Sequence, residues 1–160
     1  MSKFTTAERA AMIERLRALP EKLEAAVRGL SVAQLTTHFL PTEWTVAQNV
    51  HHVADSHMTS FTSIKLMLTE DRPVLKGYNQ DDWASTVDAN NPDIQTSLPL
   101  LRGLHARWVT LFESLSEDAW LRVGLHSERG EVTLEDQLRI YSGHGENHIA
   151  QIQKTLAAAS

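Results

Sequence analysis

The sequence predicts an all-α fold, a four-helix bundle, on the strength of three observations. Apolar residues recur at spacings of three and four through four long segments, the pattern of helices that bury one face. Several of these segments follow a Ser or Thr with Glu, Gln or Asp three residues later, a pair that caps a helix N-terminus. The alternation of apolar and polar residues that would indicate strands is weak throughout the chain. Four long amphipathic helices can bury their apolar faces against one another.

The first helix is predicted to begin after Thr5, whose capping partner is Glu8, and to continue to about Leu30. Pro20 lies inside this segment and should bend or split the helix, because proline has no backbone N–H. The apolar stripe of this helix consists of Met12, Leu16, Leu19, Leu23 and Val27.

Two further capping boxes predict the next helices. Ser31 and Gln34 open a short helix, and Thr45 and Gln48 open a long one that runs to about Thr69. The long helix has an apolar stripe in which one histidine takes part: Val46, Val50, Val53, His57, Phe61, Ile64 and Leu68.

The middle of the chain contains a long polar connection, 70–91, with a short helix predicted at 81–87. Long connections in compact domains are often functional. A third long helix is predicted over about 92–114, followed by one more helical turn at 116–121.

The C-terminal part combines a loop with the fourth long helix. The segment 124–132 is predicted to be a loop, with a small hairpin around Arg129 and Gly130. Thr133 and Asp136 then cap a helix that is expected to reach about Ala158.

Composition limits the classes of function. The chain has 160 residues, which suits one domain spanning 1–160, and its net charge of −5 lacks the basic surface of a nucleic-acid-binding protein. There is no cysteine, which excludes disulfides, thiolate nucleophiles and cysteine-bound zinc. No N-terminal apolar segment or membrane-length apolar run is present, so we expect a cytoplasmic protein without a membrane partner.

Two of the eight histidines form the sharpest local signal. His144 and His148 are four residues apart, so their side chains lie on one helix face and could share an ion. An ordinary core or surface pair is the alternative interpretation. Glu146 lies about 200° around the helix from His144 and should point away, so it is not a candidate base. Gly143 and Gly145 flank His144, which indicates either a close-lying substrate or close packing.

A second histidine cluster lies at residues 51–57 of the predicted helix. Periodicity favours His57 as the inward-facing residue, because it shares a stripe with Val53 and Phe61. His52 lies towards the flank, on the face of Asn49, Ser56 and Thr59. The residues alone therefore predict that one histidine from this cluster joins the site, and they favour His57.

Three stretches together resemble the DinB/YfiT-like superfamily over nearly the whole chain. They are Glu43-Trp-Thr-Val-Ala-Gln-Asn-Val-His-His-Val-Ala-Asp-Ser-His57, Leu104-His-Ala-Arg-Trp108 and Tyr141-Ser-Gly-His-Gly-Glu-Asn-His-Ile-Ala150. The resemblance implies a four-helix bundle with up-down-down-up topology and a divalent metal ion, zinc or nickel. It also implies that His52, His144 and His148 are the metal ligands, which replaces the preference for His57.

The resemblance leaves a set of residues to orient the ligands or contact a substrate: His51, Asp55, His57 and Tyr141. Ordinary core packing is the alternative for His57 and for His105. Around the terminal motif this chain departs from the histidine- and tryptophan-rich relatives, which affects substrate contacts more than the three expected ligands.

The implied function is a metal-dependent enzyme that activates a low-molecular-weight thiol for transfer to an electrophile. Three neutral ligands leave a metal ion with open positions, as in catalytic sites. The alternatives are a hydrolase that uses metal-activated water and a metal-binding module without turnover. We expect a small-molecule substrate and a homodimer, with Trp83 or Trp120 as interface candidates unless they lie in the core.

Overall fold

The structure, a computed structural model, describes residues 2–159. Four long helices form the bundle: α1 (Thr6–Val27), α3 (Val46–Thr69), α5 (Leu98–Glu113) and α7 (Leu134–Ala157). Three short helices lie in the connections: α2 (Val32–Thr36), α4 (Gln80–Ala84) and α6 (Glu117–Trp120). A single 3₁₀ turn, Ile94–Thr96, precedes α5. The four predicted capping boxes are all present, at the starts of α1, α2, α3 and α7.

Helix α1 differs from the prediction in two ways. It ends at Val27, before Leu30, because the chain turns at Gly29 with a φ of 74°, a left-handed conformation that glycine adopts without strain. It also runs unbroken through Pro20. The carbonyl of Leu16 would normally accept a hydrogen bond from residue 20, and His105 Nδ1 contacts it at 2.6 Å instead. A side chain from another helix thus satisfies the group that proline leaves unpaired.

The third long helix begins later than predicted. Residues 94–96 form the 3₁₀ turn and α5 starts at Leu98, so that Pro99 lies in the first helical turn. Proline is well suited to that position because the first N–H groups of a helix have no internal partner.

A small sheet covers one side of the bundle. The hairpin predicted around Gly130 is confirmed: β2 (Val123–His126) pairs antiparallel with β3 (Gly130–Thr133), and Gly130 has a φ of 70°. A third strand, β1 (Val74–Leu75), pairs parallel with β2 and was not predicted. Two residues are too few for a strand period to show in the sequence.

Side-chain contacts define the directions of the long helices. Helices α1 and α7 are parallel, because Arg9 contacts Glu135 and, further along both helices, Lys22 contacts Glu146. Helices α3 and α5 are parallel for the same reason, with contacts His51–Ser97 and His57–His105. Helices α3 and α7 are antiparallel, because Asn49 near the start of α3 contacts His148 late in α7, and Ser60 further along α3 contacts Gln137 near the start of α7. The topology is therefore up-down-down-up, as the resemblance implied.

The core consists of two apolar clusters separated by a polar layer. One cluster gathers around Trp108, Leu134 and Ile64, and the other around Leu23, Val50 and Ile152. Between them lie buried histidines from three helices: His57, His105 and His148, with the partly buried His144 beside them. Polar groups inside a core are costly unless they are paired, so this layer needs specific partners.

The expected interface tryptophans differ in exposure. Trp120 lies in the core, where it packs against Phe112, so it is not available for a dimer interface. Trp83 is 40% exposed and packs against Tyr78. Within residues 2–159, no helix combines the length and the apolar character needed to cross a membrane.

The two glycines beside His144 are predicted to respond oppositely to alanine. A Cβ at Gly145 would lie 2.2 Å from Leu19 Cδ2 of the adjoining α1, whereas a Cβ at Gly143 would meet no atom within 4 Å. Gly145→Ala should therefore destabilise the protein by up to about 2 kcal/mol, because an overpacking cost of about 1–3 kcal/mol exceeds the helix-propensity gain of up to about 1 kcal/mol. Gly143→Ala should stabilise it by up to about 1 kcal/mol through helix propensity. Urea unfolding of both variants checks this, and a stable Gly145→Ala would contradict close packing as the reason for that glycine.

Candidate metal centre

Three histidines from two antiparallel helices meet beside the polar layer. His144 and His148 lie one turn apart on α7 and face His52 on α3. Each offers one ring nitrogen, and these three atoms lie within 4.8 Å of one another. Their ring centroids are 4.6 to 5.3 Å apart. Three imidazole nitrogens grouped this closely could share one first-row metal ion.

The hydrogen bonds determine which nitrogens remain free. His148 Nδ1 lies 2.8 Å from Asn49 Oδ1, and the Asn49 amide is oriented by donating to the carbonyl of Thr45 at 2.9 Å. The amide oxygen can only accept, so His148 Nδ1 donates and its Nε2 lone pair stays free. His144 Nδ1 is likewise occupied, 3.0 Å from His57 Nε2. In both histidines of α7, Nε2 is the nitrogen left for an ion.

His52 supplies the clearest sign that the site fits a metal. Its Nε2 is buried and has no hydrogen-bond partner among the described residues. An unpaired buried nitrogen of this kind costs about 1–3 kcal/mol. Ligation of a divalent ion would remove that cost, and the site therefore fits the metal that the resemblance implies.

The electrostatics keep the three rings neutral. Burial lowers the pKa of His52 to about 4. Burial, followed by the proximity of His52, lowers that of His148 to about 4. Burial and the two neighbouring histidines lower the pKa of His144 to about 3. At neutral pH, each ring therefore has a lone pair available for ligation.

A cavity of about 590 Å³ opens onto the cluster. His52 and His144 line it, together with Tyr141 and a row of polar residues from α3: Ser56, Thr59, Ser60 and Ser63. The connection after β1 and the β2–β3 hairpin form the opposite wall, with Tyr78, His126, Glu128 and Arg129 among its residues. The cavity is large enough for a small molecule and mostly polar around the histidines.

Trp44 packs beside the cluster. Its ring centroid lies 4.7 Å from that of His52, and it stacks nearly parallel to His148 at 6.1 Å. Its indole N–H donates to Asp81 Oδ1 of α4 at 3.1 Å, which anchors the ring. The tryptophan thus shields one side of the histidines from water.

The structure distributes the other sequence candidates over different places. Tyr141 lines the cavity, and Ser56 donates to its hydroxyl oxygen at 3.4 Å. His57 is fully buried behind His144 and contacts it directly. His51 instead contacts Ser97 Oγ at 2.8 Å and the carbonyl of Asn91 at 2.9 Å, joining α3 to the connection before α5.

Asp55 and Glu146 lie away from the cluster. Asp55 is not among the residues that line the cavity. Glu146 pairs with Lys22 on the surface, which confirms that it points away from the histidines.

Sequence reasoning missed several residues that surround the cluster: Asn49, Tyr78, His126 and Arg129. One signal could have found Asn49. It shares a helix face with His52, Ser56 and Thr59, a polar stripe that reads as a solvent-exposed flank. The structure places those three residues against the cavity and Asn49 against His148. The other three come from the connection and the hairpin, whose position no periodic pattern encodes.

Because these histidines are buried as neutral rings, we expect the metal-free protein to lose stability as the pH is lowered. The pKa values of His52, His144 and His148 lie below the ordinary 6.5, so the unfolded chain binds more protons between the two values. The contribution of these histidines to the free energy of unfolding is therefore full above about pH 6.5. It falls as the pH is lowered towards 4, by roughly 1.4 kcal/mol for each pKa unit and each group.

Urea unfolding of the metal-free protein at pH 7.5, 6.5, 5.5 and 4.5 measures this effect. The ordinary pKa values of carboxyl groups lie at or below 4.5, so losses above that pH report mainly on histidines. A midpoint that stays constant from pH 7.5 to 5.5 would contradict the burial of neutral rings.

Comparison with known proteins places the chain in a family. The model of the DinB superfamily matches residues 13–152. A protein of Geobacillus thermodenitrificans is 43% identical over 141 residues, covering 88% of this chain and 79% of the relative. YfiT of Bacillus subtilis is 40% identical over 141 residues, covering 88% and 79%. Both are provisionally named as metal-dependent hydrolases.

A solved structure agrees with the fold. The structure of YfiT from Bacillus subtilis superimposes with a TM-score of 0.92 at 35% identity, covering 98% of this chain and 90% of the other. It is described as a probable metal-dependent hydrolase with an unusual four-helix bundle topology. With its family match, its relatives and its up-down-down-up bundle in agreement, the chain belongs to the DinB superfamily.

Proposed function

We propose that this protein is a metal-dependent enzyme that activates a small thiol and transfers it to an electrophile. The ligands would be His52, His144 and His148, and the ion zinc or nickel, since imidazole suits both. The converging histidines, the unpaired Nε2 of His52 and the names of the relatives support a metal-dependent enzyme. When bound, the ion supplies a positive charge that lowers the pKa of a coordinated thiol or water.

The choice of a thiol rests on one observation, the lack of a carboxylate base beside the histidines. Among the described residues that line the cavity, Glu128 is the single carboxylate, and it belongs to the opposite wall beside Gly77. The wall next to the cluster carries hydroxyl groups instead. A thiol has an ordinary pKa near 8.5 and loses its proton far more easily than water does, so it needs no protein base.

The surrounding side chains have defined tasks in this proposal. The Tyr141 hydroxyl lines the cavity, 3.4 Å from the Ser56 hydroxyl, and can donate a hydrogen bond to the departing leaving group. Trp44 excludes water from one side of the ligands, and Asn49 holds the His148 ring in the orientation that frees Nε2.

The transfer step balances without an oxidant or reductant. The thiol proton passes to solvent, and a sulfur–carbon bond forms at the electrophilic carbon. The bond from that carbon to its leaving group breaks, and the group departs with the electron pair. No protein cysteine is required, which is consistent with a chain that contains none.

Hydrolysis is the second candidate, favoured by the names given to the relatives. The same ligands and cavity would serve it, with water in place of the thiol. The two candidates differ in the nucleophile that is consumed, which an experiment can measure.

The test compares both reactions in zinc-loaded, nickel-loaded and metal-stripped protein. Thiol transfer is followed by adding 1-chloro-2,4-dinitrobenzene and each of several thiols (glutathione, cysteine and 2-mercaptoethanol), and hydrolysis by release of nitrophenol from 4-nitrophenyl acetate. We expect metal-dependent consumption of at least one thiol and a loss of rate in Tyr141→Phe. His38→Ala, at an exposed histidine outside the cavity, serves as the matched control.

The outcomes separate the candidates. Metal-dependent ester hydrolysis without thiol transfer would favour the hydrolase. Stoichiometric metal binding with neither reaction would leave a metal-binding module and contradict the proposed transferase.

A further inference from the structure

A line of three histidines crosses the core from α1 to the metal cluster. His105 Nδ1 lies 2.6 Å from the carbonyl oxygen of Leu16, and His105 Nε2 lies 2.8 Å from His57 Nδ1. His57 Nε2 in turn lies 3.0 Å from His144 Nδ1. Both central rings are buried, with 0% exposure for His57 and 1% for His105. Every nitrogen of these two rings therefore has one partner, and the line ends at His144.

Pro20 explains why the Leu16 carbonyl is available. In an α-helix this oxygen accepts from the N–H four residues later, and at position 20 there is none. His105 takes the place of that donor. A proline inside a helix, which costs stability, thus leaves an acceptor on the inner side of α1 that reaches the polar layer.

A carbonyl oxygen can only accept a hydrogen bond, and this determines every proton along the line. His105 Nδ1 carries the proton and donates to Leu16, so its Nε2 accepts in a neutral ring. His57 Nδ1 then donates to His105, and His57 Nε2 accepts from His144 Nδ1. His144 Nε2 is left with a lone pair, which is the state needed for metal ligation.

The rings on this line are neutral for a structural reason. None of the hydrogen bonds made by His57 or His105 involves a carboxylate, and both rings lie between the two apolar clusters. A buried charge without a counter-charge is strongly unfavourable. The opposite set of tautomers would place two acceptors, the His105 Nδ1 lone pair and the Leu16 oxygen, face to face, and it would leave a proton on His144 Nε2.

We propose that the Leu16 carbonyl, released by Pro20, sets the tautomer of His144 through His105 and His57, which are positioning residues for the metal ligand. The proposal rests on the assignment of His144 as a ligand in the proposed function. The line ends at an oxygen that cannot take up a proton, so it orients the ligand and does not carry protons out of the site.

The first test needs neither metal nor substrate. Two-bond ¹H–¹⁵N correlation spectra of metal-free protein labelled at histidine distinguish the two neutral tautomers. We expect the proton on Nδ1 in His57, His105 and His144, in contrast to the Nε2–H form that predominates for histidine in water. His126, whose Nδ1 accepts from the backbone N–H of Glu128 at 3.2 Å, provides a reference for the Nε2–H form within the same spectrum. A proton on Nε2 of His144 would overturn the proposal, even if the protein binds metal.

Paired variants of His105 separate positioning from packing. In His105→Gln the amide can still donate to Leu16 and accept from His57, whereas His105→Leu can do neither. We expect Leu to reduce zinc affinity by roughly 10–100-fold, as loss of support behind a ligand does, and Gln to restore most of it. Equal loss of affinity in both, with the His144 tautomer unchanged, would assign His105 to packing alone.

Pro20→Ala tests the origin of the free carbonyl. Alanine supplies an N–H that competes with His105 for Leu16, while it also removes the cost of proline in the helix. We expect thermal stability of the metal-free protein to be unchanged or higher, yet zinc affinity to fall by roughly threefold to tenfold, the effect of weakening one hydrogen bond. Unchanged His105 signals and unchanged affinity would contradict the role assigned to Pro20.

Discussion

Replacing His148 by alanine is expected to abolish stoichiometric metal binding. Two imidazoles remain, and the Asn49 amide oxygen loses the N–H that it accepts at 2.8 Å. Removing a ligand should exceed the roughly 10–100-fold loss of affinity that removing its hydrogen-bonded support causes. Elemental analysis after purification without chelator should find about one equivalent of zinc or nickel in the parent protein and less than about a tenth of that in the variant.

Two further variants complete this experiment. His52→Ala should behave like His148→Ala, because its unpaired Nε2 belongs to the same cluster. His38→Ala is the matched control and should keep a full equivalent. The rise in melting temperature that added metal gives the parent should disappear in both cluster variants. Full metal occupancy in His148→Ala would refute the ligand assignment.

Replacing Arg9 by alanine is expected to cause a large loss of stability away from the histidine cluster. Arg9 and Glu135 form a buried ion pair at 2.9 Å, with 3% and 0% of each residue exposed. Burial alone would raise the pKa of Glu135, yet hydrogen bonds from Ser2, Lys3 and Arg9 hold it below its usual value. Removing the arginine leaves a buried carboxylate without its counter-charge.

The expected loss is about 3–5 kcal/mol in the free energy of unfolding, the usual cost of breaking a buried pair from one side. Arg17→Ala is the matched control, since its pairs with Glu14 and Glu113 lie on the surface and should contribute less than about 1 kcal/mol. Urea unfolding measures both variants, and metal content should stay at the parent level in each. Equal small effects would mean that the Arg9 pair adds little net stability.

The capping boxes and apolar stripes predicted the long helices because both are local properties of the chain. The boxes at the starts of α1, α2, α3 and α7 fixed those starts correctly. The predicted end of α1 and start of α5 were wrong because glycine and proline, and not the apolar stripe, set those two boundaries. Gly29 ends α1 early, and Pro99 sets the start of α5.

The choice between His57 and His52 shows what periodicity can decide. Periodicity favours His57 as the buried residue, and it is indeed fully buried. It cannot tell a core position from a cavity wall, because both face inward. The family resemblance pointed to His52, and the structure places His52 with His144 and His148 while His57 lies behind His144.

By itself, the sequence determined the helical class, the caps, the hairpin turn at Gly130 and the pair His144 and His148 on one helix face. These depend on residues that lie within a few positions of one another. Tertiary structure alone decided that the polar face of α3 lines a cavity and that the hairpin closes it. It alone also brought the Leu16 carbonyl to His105. Such contacts join residues far apart in the chain, so their geometry follows from how the helices pack and cannot follow from local pattern.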